Sequence, residues 1–173
     1  MLKTTELLDN GMEKVNDFHM AGTLLGLDGI DGDCYSSSAV ALQESEVCIV
    51  PFDQLEEVSR TVSALQHRLH KFMGREVRRA QTVTYLLGRM KAEERLAAFF
   101  LDLSRRYAAQ GCSPTRFSLP MSREDIASYL GLSVETISRQ ISRLQELGLL
   151  MANKRDVELR NTDGLQRMLN SGA

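Results

Sequence analysis

Glu135, Thr136, Ser138, Arg139, Gln140 and Ser142 stand close together in one short stretch of the chain. A carboxylate accepts from cytosine N4, a guanidinium forks onto guanine O6 and N7, and a hydroxyl reaches either a base edge or a phosphate. The chemistry this set offers is the reading of base pairs in a DNA groove. The same residues would also suit the wet side of a helix in a small bundle, or a winged helix that binds protein. The elements that carry them decide between these readings.

The surrounding stretch, REDIASYLGLSVETISRQIS over 123–142, has the pattern of two short helices joined by a tight turn. Ile126, Leu130 and Leu132, then Val134, Ile137 and Ile141, fall at inward positions of a helix pair. Ala127 is small where a second helix must cross closely, and Gly131 sits where the turn calls for a left-handed residue. Ser133 is placed to cap the second helix, and Ser122 with Asp125 forms a capping arrangement before the first. This joint match favours a DNA-recognition helix. Downstream, Gly148 ends the helix, and Leu149–Ala152 and Val157–Arg160 read as a hairpin turning at Asn153-Lys154-Arg155-Asp156. A helix–turn–helix followed by such a hairpin is a winged helix, with Lys154 and Arg155 at the wing tip. The tail from Asn161 reads as a weak final helix.

Upstream, Lys91 to Gln110 is amphipathic, with Leu96, Ala97, Phe99, Phe100, Leu103 and Tyr107 as its buried stripe. A long helix is expected from about Ser63 to Leu87. Leu69, Met73, Glu76, Ala80, Val83 and Leu87 recur on it at alternating spacings of four and three, a heptad seam that pairs with a second helix. Homodimerisation is the functional reading, and packing on its own domain is the plainer one. Residues 1–52 carry strand and turn signals, with alternation at Ala39–Leu42 and Val47–Val50, a run KVNDFHM, a turn at Asp31-Gly32-Asp33 and a loop at Tyr35–Ser38. Pro51-Phe52-Asp53 closes this region, with Asp53 as the expected cap of a short helix. The expected fold is therefore α+β. It comprises a partial antiparallel β-roll over 1–52, connecting and dimerisation helices over 53–90, and a winged helix–turn–helix over 91–173. The first strand begins almost at Met1, as though the chain starts inside a domain.

The chain has 173 residues, 43% of them hydrophobic, and a net charge of −2, which gives no global pull towards nucleic acid. Basic residues gather instead between Arg60 and Lys91, where Glu76 is the one acidic residue, a pattern that fits a solvated helix face. No run approaches ~18 apolar residues and no signal pattern opens the chain, so a cytoplasmic protein without membrane partners is expected. Cys34, Cys48 and Cys112 are widely separated and form no CxxC pair. His19, His67 and His70 belong to no nucleophile–base–orienter set, so an enzyme is not expected.

ERLAAFFLDLSRRYAAQG (94–111), FSLPMSREDIASYLGLSVETISRQISRLQELGLL (117–150), FHMAGTLLGLDGI (18–30) and SEVCIVPF (45–52) carry a resemblance that covers nearly the whole chain. It resembles the CRP/FNR superfamily of bacterial transcription regulators, most closely its FNR/Anr oxygen-responsive branch. The resemblance implies homodimeric binding of double-stranded DNA at a TTGAT-type palindrome, RNA polymerase as a partner, and an anaerobic or redox response. Glu135, Ser138 and Arg139 fall on the family's base-reading positions, with Thr136, Ser122, Ser133 and Lys154 beside them.

Two sensing chemistries follow from the resemblance. Cyclic-nucleotide binding in the family uses a glutamate after the cassette glycine and an arginine before Ser-Ala. Here Gly22 is followed by Thr23 and Ser37 precedes Ser38-Ala39, so cAMP is not expected. The FNR branch holds a 4Fe–4S cluster on four cysteines. Cys48 stands at the fourth ligand position by resemblance, though its residue type equally suits a β-core position. This chain alone supplies no cluster, which would form only if the missing N-terminal cysteines were provided. Ala80 replaces an acidic residue that tends to occur at this seam position, so dimerisation is expected to depend less on a cluster. The alternative is a non-sensing short relative that dimerises with, and modulates, a full-length regulator.

Overall fold

In the computed structural model, residues 1–30, 32 and 34–170 are described. The expected turn at Asp31-Gly32-Asp33 falls largely outside them. Strands β1 (Leu2–Leu7), β2 (Glu13–His19) and β3 (Ser38–Ala41) form an antiparallel sheet in the order β2-β1-β3. Helices α1 (Phe52–Thr61), α2 (Ser63–Arg89) and α3 (Ala92–Ala109) follow. Then come β4 (Arg116–Ser118), α4 (Arg123–Leu130), α5 (Val134–Glu146), β5 (Leu150–Asn153), β6 (Asp156–Leu159) and α6 (Thr162–Asn170). The second sheet has the order β4-β6-β5. The α+β class and the helix–turn–helix with its wing are as the sequence predicts.

One core runs through the molecule. Leu96, Ala97, Phe100 and Leu103 of α3 are buried against Ile126 and Leu130 of α4, Ile137 and Leu144 of α5, and Leu150 and Leu159 of the wing. Phe18 of β2 joins the same cluster, its ring edge-on to Phe99 and to Tyr129. The terminal helix is firmly seated rather than weak, because Leu165 is fully buried and Gly164 lies against Leu149, where a Cβ would fall 2.5 Å from that side chain.

The β region departs from expectation in three places. Val47–Val50 is not a strand: it has no ladder partner among the described residues, and Val47 and Ile49 are 63% and 88% exposed. An alternating pattern makes a strand only where a neighbouring backbone completes its hydrogen bonds. The 39–42 stretch does contribute β3, paired with β1, but Ala39, Val40 and Ala41 are exposed and only Leu42 is half-buried, against the core. Asp53 does not cap α1; Pro51 occupies that position with no side-chain cap, and Asp53 sits in the first turn.

Helix α2 confirms the long helix and extends it to Arg89. Part of the expected seam faces the chain's own β region. Glu76, Ala80 and Val83 line a cleft shared with Thr4, Asp17 and Leu24 of the chain's own β region. The exposed apolar residue one step on is Val77, at 59% exposure. Leu87 packs against the core and reaches the turn at Gly131.

Candidate nucleic-acid interface

The reading helix is set by its two caps. Ser122 Oγ accepts from the Asp125 N–H at 3.1 Å, and Asp125 Oδ2 accepts from the Ser122 N–H at 2.9 Å, a reciprocal box that starts α4. Gly131 then adopts φ +60°, the left-handed turn the sequence predicts. Ser133 caps α5 by accepting from the Thr136 N–H at 3.2 Å. Ile137, Ile141 and Leu144 point inward from α5, which leaves Glu135, Ser138, Arg139 and Ser142 exposed along one side. Thr136 and Gln140 are half-buried at the edge of this face.

The exposed groups are not equivalent. The Ser133 hydroxyl lies 3.0 Å from Thr136 Oγ1, which also accepts from Arg139 Nη2 at 3.4 Å, so a short polar chain braces the arginine. Hydrogen bonds from its own backbone N–H and from Ser133 hold the Glu135 carboxyl below the usual carboxylate range, so it faces outward as an anion. Ser138 donates its hydroxyl proton to the Val134 carbonyl at 3.0 Å, and Ser142 to the Ser138 carbonyl at 3.2 Å. Ser138 therefore offers lone pairs outward, an acceptor for a base amino group, unless its proton is redirected. Ser122 is half-buried and committed to the α4 cap.

The wing is tied to this face through its backbone. Lys154 is exposed at the hairpin turn with φ +53°, and its carbonyl accepts from Arg123 Nη2 at 3.4 Å. The Arg155 carbonyl accepts from the Leu119 N–H at 2.8 Å. Arg123, with its other terminal nitrogen buried and unpartnered, was not singled out by the sequence pattern. Its place at the first position of α4 was the available signal. Arg95 was also missed, although it lies in the quoted 94–111 block; it bonds the carbonyls of Leu87, Met90 and Leu130.

The three cysteines lie apart in the sequence and none is bonded to another. Cys34, Cys48 and Cys112 are free and exposed, so Cys48 is not the β-core residue its context also allowed. Among the described residues no three His, Cys, Asp or Glu side chains gather to hold a metal. A 4Fe–4S cluster takes about four thiolates, and this sequence holds three cysteines. His67 and His70 are exposed on α2. No helix among the described residues is long and apolar enough to cross a membrane.

The Crp-like helix-turn-helix domain family matches residues 94–168. The transcriptional regulatory protein Btr of Bordetella pertussis is 43% identical over 97% of this chain and 69% of its own length. The fumarate and nitrate reduction regulatory protein of Escherichia coli is 40% identical over 96% of this chain and 67% of its own. This chain thus spans about two thirds of the length of these relatives. Among solved structures, FixK2 of Bradyrhizobium japonicum superimposes with a TM-score of 0.86 at 33% identity, covering 96% of this chain and 82% of that one.

Proposed function

Because the chain belongs to the CRP/FNR family of transcription regulators, we propose that it reads a TTGAT-type palindrome as a homodimer in an oxygen- or redox-linked response. It is a DNA-binding regulator and not an enzyme. The observation that carries the finer reading is the row of Glu135, Ser138 and Arg139 on the free side of α5, with the carboxyl ionised and the guanidinium braced by Thr136. Arg139 takes guanine, Glu135 accepts from cytosine N4, and Ser138 accepts from an adenine or cytosine amino group or turns its proton to thymine. Thr136 and Ser133 hold the arginine, Ser122 sets α4, and Lys154 meets the phosphate backbone. Fluorescence anisotropy on a TTGAT-N4-ATCAA duplex tests this. Arg139→Ala is expected to cost about 1–3 kcal/mol and to relax selectivity at the guanine. Unchanged affinity and selectivity would overturn the assignment.

The dimer seam of this reading runs along α2 through Met73, Val77, Ala80, Thr84 and Leu87. This set keeps the alternating four-and-three spacing of the sequence reading and shares Met73, Ala80 and Leu87 with it. Val77 and Thr84 replace Glu76 and Val83, since the latter two are half-buried where they line the chain's own cleft, whereas Val77, Thr84 and Ala80 are exposed, Ala80 although it also lines that cleft. Leu69 flanks the seam. Ala80 puts no charge where two helices meet, so the metal-free chain is expected to sediment as a dimer at tens of micromolar. Ala80→Asp would place two like charges together and raise the dissociation constant at least about tenfold. A wild-type monomer, or an indifferent variant, counts against the seam.

Similarity to a fumarate and nitrate reduction regulator supports the anaerobic role. RNA polymerase is the protein partner in this reading, and the cytoplasm is the compartment. Cys48 is the one position that resembles a cluster ligand. The other arrangement, a modulator of a longer relative, predicts mixed dimers with no DNA binding of their own.

A further inference from the structure

We propose that Lys3 and Ser128 are positioning residues for DNA recognition, fastening the β1–β2 hairpin to α4 and so setting how far apart the two recognition helices of a dimer stand. The inference rests on the homodimer reading above. Strand β2 is an edge of its sheet, and an edge exposes unpaired N–H groups. Here α4 covers that edge. The register slips between Thr4 and Thr5, leaving Asn16 without an opposite residue, and the neighbouring Val15 N–H donates to Ser128 Oγ at 2.9 Å. On the other strand, Lys3 Nζ lies 2.6 Å from Asp125 Oδ1, with the two side chains only 17% and 13% exposed. Phe18 of β2 also meets Tyr129 of α4 edge to face, with ring centroids 5.3 Å apart.

The hairpin is held equally firmly on its other side. Arg79 of α2 pairs with Asp17 at 2.5 Å, and both Arg79 and Arg106 of α3 donate to the Phe18 carbonyl. Since α2 carries the seam, the route from seam to reader runs through Arg79, β2 and α4 as well as along the α2–α3 junction. Two anchors rather than one fix the angle of the reader. Lys3 and Ser128 are suited to this role because the helix does not need them. Asp125 keeps its bonds with Ser122 when Lys3 is removed, and Ser128 lies outside the cap.

The test uses the full chain with palindromes of TTGAT half-sites at spacings of three to six base pairs, and a duplex carrying one half-site. Wild type is expected to prefer one spacing by at least about tenfold, because only one separation lets both readers engage together. Lys3→Met with Ser128→Ala is expected to cut that preference to within about threefold while leaving single half-site affinity unchanged. Lys3→Arg, which keeps the ion pair, should retain the preference. A double variant that keeps the wild-type preference overturns the positioning role alone. So does one that loses half-site affinity as well, since these residues would then belong to the fold of the reader. A wild type indifferent to spacing overturns the homodimer reading and the positioning role with it.

Discussion

Arg95→Met is expected to destabilise the chain by about 3 kcal/mol, read as a loss of unfolding free energy in urea. The guanidinium donates from Nε to the Met90 carbonyl at 2.9 Å, from Nη1 to Leu130 at 3.0 Å and from Nη2 to Leu87 at 2.8 Å. These carbonyls belong to the last turn of α2, the break that follows it, and the last residue of α4. Helix ends leave their final carbonyls without intrahelical partners, and a cation there also meets the negative end of the helix dipole. One side chain thus closes two helix ends and fixes the angle at which α3 leaves α2. Methionine fills much of the volume but bonds none of the three. A charge-assisted bond contributes about 1.5–3 kcal/mol net, and three on one group are not additive, hence the figure. The midpoint of thermal unfolding should fall by roughly 10 °C for a chain of this size. A loss below about 1 kcal/mol would mean that water replaces the guanidinium at these carbonyls.

What could be read in the sequence follows the reach of each interaction. The helix–turn–helix was legible because its signals are local: the Ser122–Asp125 box, Gly131, the Ser133 cap and the apolar spacing all lie within one short stretch. The wing followed from Gly148 and the turn at Lys154 in the same way. The length of α2 was legible from its period, but which of its faces meets the rest of the chain was not. Two sets with the same four-and-three spacing share Met73, Ala80 and Leu87. They differ in Glu76 and Val83, half-buried on a cleft with the β hairpin, against Val77 and Thr84, which are exposed; where the hairpin lies is something no helical period encodes. Val47–Val50 had the alternation of a strand without the partner that would make it one. Lys3 had no local signal at all, since Asp125 stands 122 positions away. Arg95 could be quoted as part of a motif, but three carbonyl partners from two helices appear only once the chain is folded.

The hairpin junction also predicts two opposed pH dependences. Burial pushes the Asp17 carboxyl up to about 6, against the pull of Arg79 and Arg106, with Glu76 adding to the rise. Burial, then the same two guanidiniums, pushes His19 down to about 4. Folded Asp17 keeps a proton that the unfolded chain releases from about pH 4, so its contribution makes stability fall as pH rises from 4 to 6. Folded His19 refuses a proton that the unfolded chain accepts below about 6.5, so its contribution is lost as pH falls towards 4. Each displacement corresponds to about 3 kcal/mol over its full range, and the two oppose each other between pH 4 and 6. The wild-type pair therefore adds little net slope there. Asp17→Asn leaves His19 unopposed, and its stability relative to wild type should rise by about 2 kcal/mol from pH 4 to 6. His19→Gln leaves Asp17 unopposed and should fall by a similar amount over the same window. Urea unfolding of the three proteins at pH 4, 5, 6 and 7 measures both differences, and the contribution of every other carboxylate cancels in the comparison. Parallel curves would mean that Arg79 and Arg106 hold Asp17 ionised throughout and that His19 protonates without cost in the folded chain.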